Sequence, residues 1–439
     1  MRQILCADMV LSMDAERNLF QPGCVVIEDD RIIAVGPQER LKNQAGQMVN
    51  LPGKLLMPGL VNAHTHTPMV LFRGIAEGYS LFSWEGWYNS IRRIEYVADS
   101  SMVPAAVAVS CAEMLRTGTT TFADQYFYMD QILPVVRQSG MRAVLSYGVV
   151  DEKNDEAVDR ELANAAAFLE QVKDDLRIRG WMGPHALFED NRVETIRKEV
   201  PMAERYQAGF HIHMLTNTGE DDYCRQHFGK SAAQMMIETG VLNHPVLAAH
   251  CVELQEADMP ALAQTPFTAV ICPSASMRSG AGAAPLQAMR RHGVNTALGT
   301  DNVANSNSYD LFREMSTAAK LAAHREGQPG AVSAMEIVEM ATLGGARGMG
   351  LADQIGSLEP GKKADLISLD LNEIGWAPFS GQDVYTALVY GVSGQHVRDV
   401  MVDGQWLLRD AQWTTLDYLQ SRRELEDSRR ELQHRMDKE

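Results

Sequence analysis

The tripeptide His64-Thr65-His66 ends an apolar run, Leu55-Leu56-Met57-Pro58-Gly59-Leu60-Val61-Asn62-Ala63. In an extended strand, residues two apart share a face, so both imidazoles aim at one point. Two neutral imidazoles on one side of a point are half of a first-row metal site. Alone, the tripeptide is a weak signal. Its weight comes from His213, His250 and Asp301, each of which closes another short apolar run of β character. His64, His66, His213 and Asp301 supply nitrogen and oxygen donors for one divalent cation. Zinc is the simplest choice, with iron or manganese as alternatives. A coordination position left open would hold water and lower its pKa toward neutrality. Asp301 could then take the water proton and pass it to a leaving group, with His250 beside the water. His211 competes with His213 for the ligand position, but His213 lies nearer the carboxyl end of its run. Taken singly, each histidine reads as a hydrogen-bonded structural imidazole. Five residues at matching strand ends reverse that reading.

The runs that must position them recur along the chain. After the first come 118–124, 142–149, 178–185, 208–213, 246–250, 267–272 and 294–301, separated by stretches with helical spacing such as 102–117 and 332–344. Eight short strands alternating with helices predict a parallel (β/α)8 TIM barrel, whose reactive groups gather at the carboxyl ends of the strands. Residues before Pro58 do not fit that alternation. Residues 25–36 read as a hairpin turning at Asp29-Asp30, and a matching β-rich block spans 364–370 and 397–408, with a turn at Asp403-Gly404. Neither block can bury a sheet face alone. The expectation is one small β-sandwich built from both chain ends: 1–57 as its first part, 58–358 as the barrel, and 359–439 as its second part plus a C-terminal helix. In that helix Tyr418, Leu425 and Leu432 sit seven apart and would dock on the body or on a second subunit.

The 439 residues are 45% hydrophobic and 22% charged, with a formal net charge of −17. That acidity argues against nucleic acid or an anionic membrane as the main partner. No stretch has the length and apolarity of a membrane span, and the first residues lack a secretory signal. A cytoplasmic enzyme acting on a small neutral or cationic molecule fits this composition. The six scattered cysteines read as buried thiols and not as a disulfide framework, Cys251 and Cys272 included.

The segments 57–66, Arg116-Thr117-Gly118-Thr119-Thr120-Thr121, Gly183-Pro184-His185-Ala186, Ala249-His250-Cys251, Cys272-Pro273-Ser274, Gly299-Thr300-Asp301-Asn302 and 356–366 together resemble the amidohydrolase superfamily, in its branch of adenosine-type, guanine and triazine deaminases and chlorohydrolases. The resemblance runs to about residue 415. It implies the composite fold above, one catalytic metal on His64, His66, His213 and Asp301, and hydrolysis at an amidine-like ring carbon with release of ammonia or another small group. It also implies a purine, pterin, pyrimidine or s-triazine type of substrate, and a dimer or larger homo-oligomer. His185 matches a substrate-contacting position, and Glu95 an acidic one that binds substrate in nucleoside-handling relatives. Arg73 and Trp84 fall in the segment that usually covers the pocket. The plain readings are a surface salt bridge for Glu95 and Arg73, and a core aromatic for Trp84.

Two positions depart from that pattern. In deaminases of this branch a glutamate follows the fifth-strand histidine by three residues and shuttles a proton to the ring nitrogen; here Thr216 stands there. General acid–base help of this kind is worth about a hundred- to ten-thousand-fold in rate. After the seventh strand, Ser276 replaces an asparagine. Three accounts are open: Glu220 or Asp221 substitutes for the missing acid, the substrate needs no ring protonation, or the chain binds metal and ligand without turnover. The complete metal set and His250 favour the second.

Overall fold

The computed structural model describes residues 1–151, 154–188, 191–379 and 383–438, with Trp84 described in its backbone only. The chain opens with β1 (Arg2–Leu11), β2 (Leu19–Phe20), β3 (Gly23–Glu28), β4 (Arg31–Pro37) and β5 (Gln47–Pro58). The next eight strands are β6 (Leu60–Thr65), β7 (Thr119–Tyr126), β8 (Arg142–Val149), β9 (Ile178–Pro184), β10 (Phe210–Met214), β11 (Val246–His250), β12 (Phe267–Ile271) and β13 (Asn295–Leu298). The chain closes with β14 (Leu366–Asp370), β15 (Val397–Val402), β16 (Gln405–Arg409) and β17 (Gln412–Trp413).

Among the described residues, β6 to β13 form one parallel sheet in chain order. A parallel bridge between Thr65 and Asp301 joins its two ends, so the sheet closes as the expected (β/α)8 barrel. Helices cover it in the manner that period-3.6 apolar spacing dictates. The helix Asp155–Val172, for instance, buries Val158, Leu162, Ala165, Phe168, Leu169 and Val172, and starts where the Asn154 side chain accepts the Ala157 N–H.

The remaining strands form a second, mixed sheet in which β5 pairs parallel with β1 and antiparallel with β14. Both ends of the chain are thereby needed to complete it. The sheet curls, because Ala364 donates to the Asp30 carbonyl at 2.9 Å and Ile32 to the Lys362 carbonyl at 2.8 Å. Leu5, Val25, Ile27, Leu56, Leu366 and Met401 fill the interior that results. The hairpins turn as the sequence predicts, with Glu28 opposite Arg31 and Val402 opposite Gln405. The apolar run 55–63, read above as one strand, is two strands in two sheets. It crosses between them at Gly59, where a Cβ would stand 2.2 Å from the Thr120 side chain. We propose 1–57, 58–358 and 359–439 as the structural segments on this pattern. Below the barrel, Arg142 ties the two sheets together through Asp365 (3.0 and 3.2 Å) and Asp403 (2.5 Å).

The C-terminal helix, Tyr418–Met436, lies on its own body against the helix Val103–Arg116. Leu432 is fully buried there, and Arg429 donates to the Leu71 carbonyl at 2.5 Å. None of the described helices is long and apolar enough to cross a membrane.

The cysteine expectation needs correction. Cys6 and Cys24 face each other across β1 and β3, with Cα atoms 4.2 Å apart, and are joined as a disulfide. Their pairing depends on strand register, which sequence spacing does not display. The other four are free and buried. Burial pushes the thiols of Cys251 and Cys272 up, out of the range of a nucleophile, as their reading as buried thiols expects. Thiol titration of the unreduced, denatured protein should therefore find four reactive groups; six would contradict the Cys6–Cys24 bond.

A second prediction concerns Glu199. It is fully buried on the helix Val193–Tyr206, and neither carboxylate oxygen has a partner among the described residues. Burial raises its pKa well above the usual value. A carboxyl raised in the folded state binds its proton more tightly there, so stability falls as pH rises past the unfolded value. Glu199→Met should therefore stabilise at pH 7, by about 1–3 kcal/mol for removal of an unsatisfied buried group. Denaturant melts should show that gain shrinking as pH drops to 4.

Candidate metal centre and substrate cavity

His64 and His66 leave the end of β6, and His213 lies within β10. His250 ends β11, and Asp301 follows β13. Barrel closure brings all five to one point. Donor atoms of His64, His213, His250 and Asp301 lie within 4.8 Å of one another. His66 Nε2 is 3.2 Å from His213 Nε2 and 3.4 Å from Asp301 Oδ1, and His64 Nε2 is also 3.4 Å from that oxygen. The second choice of the sequence, His211, sits behind the cluster, with its Nε2 2.7 Å from His64 Nδ1.

The imidazoles are oriented by what their outer nitrogens touch. His66 Nδ1 is 2.7 Å from the Gln125 carbonyl oxygen, and His213 Nδ1 is 2.6 Å from that of His185. A carbonyl only accepts, so each Nδ1 carries a hydrogen and, in the neutral ring, each Nε2 turns a bare lone pair inward. His64 Nε2 is buried without a hydrogen-bond partner among the described residues. Burial holds His64 down, to about 4, and His213 well below its ordinary value, so both stay neutral. Burial works against ionisation of Asp301, but the imidazoles of His64, His66 and His250 around it outweigh burial and keep the carboxyl well below the usual range. Burial pulls His66 down too, but its contacts with Asp301 outweigh this and raise it above its ordinary value, so a cation bound there would displace a proton. Inward-facing imidazole nitrogens and an ionised carboxylate are the donor set a divalent cation takes. The residues fit the group.

Backbone strain marks the same place. His250 has φ 81° and Asp301 φ 60°, both in the left-handed region that side-chain-bearing residues avoid.

A cavity of about 410 Å³ opens over the cluster. His66, His185, His213, Thr216, His250, Asp301 and Glu95 all line it. Glu95 accepts from the Tyr126 hydroxyl at 2.8 Å and from Arg92 at 3.4 Å. The Phe82 ring stands 4.5 Å from His250, and Trp87 5.5 Å from His185. Arg73 is not among the lining residues; it pairs with Glu113. Trp84 begins a short helix, and its side chain lies outside the described residues. Ser276 is not among the lining residues either; its hydroxyl donates to the Cys272 carbonyl at 3.2 Å.

Sequence reasoning passed over two neighbours of the cluster. Asn302 donates to Asp301 Oδ1 at 3.0 Å, its amide oriented by the Asn305 N–H at 2.9 Å. Asp124, fully buried at the end of β7, accepts from Thr65 Oγ1 (2.8 Å), Thr67 N (2.7 Å) and Thr67 Oγ1 (2.7 Å). It clamps the chain on both sides of His66. The rule that picked out the other polar strand ends would have found it on the second barrel strand.

The match to the amidohydrolase family covers residues 55–407. The chain belongs to the amidohydrolase family. Its members with similar sequences include 5'-deoxyadenosine deaminase of Methanosarcina acetivorans, 37% identical over 401 residues that span 91% of each chain. Another is the 5-methylthioadenosine/S-adenosylhomocysteine deaminase 1 of Syntrophus aciditrophicus, 34% identical over 93% of this chain and 92% of that one. Among solved structures, an adenosine deaminase from Xanthomonas campestris with bound zinc superimposes with a TM-score of 0.92, at 29% identity and 98% coverage of both chains. An atrazine chlorohydrolase from Arthrobacter aurescens, complexed with zinc, shares the fold at a TM-score of 0.86 and 20% identity, over 97% of this chain and 100% of that one. The chain is thus an amidohydrolase-family hydrolytic enzyme acting on carbon–nitrogen bonds.

The Asp124 clamp gives a direct prediction. Asp124→Asn presents an amide N–H to donors that now meet a carboxylate. The cation should be held about ten- to a hundred-fold more weakly, the usual cost of losing an outer-shell partner. Chelator competition measures this; an unchanged affinity would show that the clamp does not serve the metal.

Proposed function

We propose that this enzyme deaminates an aminated nitrogen heterocycle by hydrolysis, using one divalent cation, zinc by preference, held by His64, His66, His213 and Asp301. The reading is carried by the cluster of His64, His213, His250 and Asp301, with His66 Nε2 3.2 Å from His213 and 3.4 Å from Asp301, beside an aromatic-walled cavity; His250 is assigned to the water and not to the cation. When bound, the cation supplies an acidified water at near-neutral pH.

The chain's own residues do the rest. Asp301 takes one proton from the attacking water. As the new carbon–oxygen bond forms and the carbon–nitrogen bond breaks, Asp301 returns that proton to the leaving amine, which departs as ammonia. Burial holds His250 near 3, so it is a neutral hydrogen-bond partner for the water and not a proton carrier. Phe82 and Trp87 offer ring faces to a flat heterocycle, and His185 lines the same wall. Glu95, steadied by Tyr126 and Arg92, is placed to accept from hydroxyl groups on a ring substituent. The relatives named as deoxyadenosine and methylthioadenosine deaminases support a purine nucleoside as the substrate type. A cytoplasmic location and a homo-oligomeric assembly belong to the same reading, supported by the acidic composition and the family resemblance.

Zinc-loaded enzyme should release ammonia from at least one member of a panel of purine nucleosides, pterins, pyrimidines and triazines. Asp301→Asn should lower that rate by about a hundred- to ten-thousand-fold. Full zinc occupancy without turnover of any ring would instead favour a binding protein.

A further inference from the structure

Behind each imidazole of the proposed ligand set, the outer nitrogen touches a neighbour. For His66 and His213 that neighbour is a backbone carbonyl, which can only accept. For His64 it is a side chain. His64 Nδ1 lies 2.7 Å from His211 Nε2, and both rings are fully buried. They meet edge-on, with centroids 4.9 Å apart and planes at 79°. His211 neither lines the cavity nor belongs to the donor cluster. Its backbone is held by Gln125, whose Nε2 donates to the His211 carbonyl at 2.6 Å.

The remaining ring nitrogen of His211, Nδ1, has no hydrogen-bond partner among the described residues. A buried polar atom left unpaired is unfavourable. An apolar side chain of similar bulk would avoid that penalty, so packing alone does not account for a histidine here. What the histidine adds is Nε2. Burial holds both rings below their ordinary values, so both are neutral and one hydrogen lies between them. Two arrangements satisfy that contact. If His211 donates, the hydrogen of His64 sits on Nε2, turned toward Asp301 at 3.4 Å, and no lone pair is left for a cation. If His64 donates, its Nε2 is bare and faces the cluster.

We infer that His211 is a positioning residue for the metal centre: its Nε2 accepts the Nδ1 hydrogen of His64 and so holds His64 in the tautomer that ligates through Nε2. This rests on the reading of His64 as a ligand. His211 itself touches neither cation nor substrate. Unlike the carbonyls behind His66 and His213, it is a side chain, so its contribution can be exchanged without altering the backbone.

The test measures zinc affinity by chelator competition on the wild type, His211→Leu and His211→Gln, with thermal melts of each protein metal-free and zinc-loaded. Leucine fills the space and accepts nothing; the glutamine amide oxygen can accept in place of Nε2. His211→Leu should bind zinc about ten- to a hundred-fold more weakly, the usual loss when a ligating histidine is deprived of its partner. Its metal-free melting temperature should hold or rise, because the unpaired nitrogen is gone, while the increment on zinc loading shrinks. His211→Gln should recover most of the affinity and of the increment. Wild-type affinity in the leucine variant would overturn the inference. Tighter zinc would also overturn it, by showing that His211 donates to His64. Equal weakening in both variants, with lower metal-free melting temperatures, would reduce His211 to packing. Should the variants fail to fold, nitrogen NMR of the histidine rings in the zinc-loaded wild type decides: a hydrogen on His211 Nδ1 supports the inference, and one on Nε2 overturns it. A wild type that takes up no zinc would overturn the ligand reading itself.

Discussion

The contact on which the site depends is the seam where the barrel closes. Asp301 donates its backbone N–H to the His64 carbonyl at 3.0 Å, and Thr65 bridges to Asp301 in parallel register. First and last barrel strands are far apart in sequence and meet along this seam, where the Asn62 side chain also donates to Thr300 Oγ1 at 2.8 Å and accepts the Thr300 N–H at 3.1 Å. Their meeting sets the Asp301 carboxylate 3.4 Å from Nε2 of both His64 and His66. The left-handed backbone at Asp301 and at His250 is tolerated because closed, fully buried strands hold these residues in place.

Concentrating so many polar groups in a dry interior is unfavourable without a compensating charge. The protein prepares for that charge at two depths. Nearest the centre, carbonyls of Gln125 and His185 fix the tautomers of His66 and His213. One step out, Asp124 anchors the threonines flanking His66, and Asn302 braces Asp301. The aromatic wall follows the opposite rule: Phe82 and Trp87 bring apolar area to the mouth, where a flat ring can exclude water from the attacked carbon.

Much of this was legible in the sequence because it follows from local periodicity. Barrel strands announce themselves as apolar runs, and polar residues at their ends name the catalytic face. The two-sheet architecture followed from β-rich blocks too small to stand alone. What was hidden depends on register or on three-dimensional neighbours. Cys6 and Cys24 are 18 residues apart and pair only because of how β1 lies on β3. The run 55–63 reads as one strand until the close approach of Gly59 to Thr120 shows where it changes sheets. In the covering segment, no periodicity distinguishes Arg73, which turns to Glu113, from Trp87, which lines the cavity.

The central claim is that one cation is shared by residues from opposite ends of the barrel sequence. Zinc-edge anomalous diffraction from zinc-loaded crystals tests it most directly. The account predicts one strong peak at about 2.0–2.2 Å from Nε2 of His64, His66 and His213 and from the Asp301 carboxylate. A peak on His211, or one lying away from the β6–β13 seam, would contradict it.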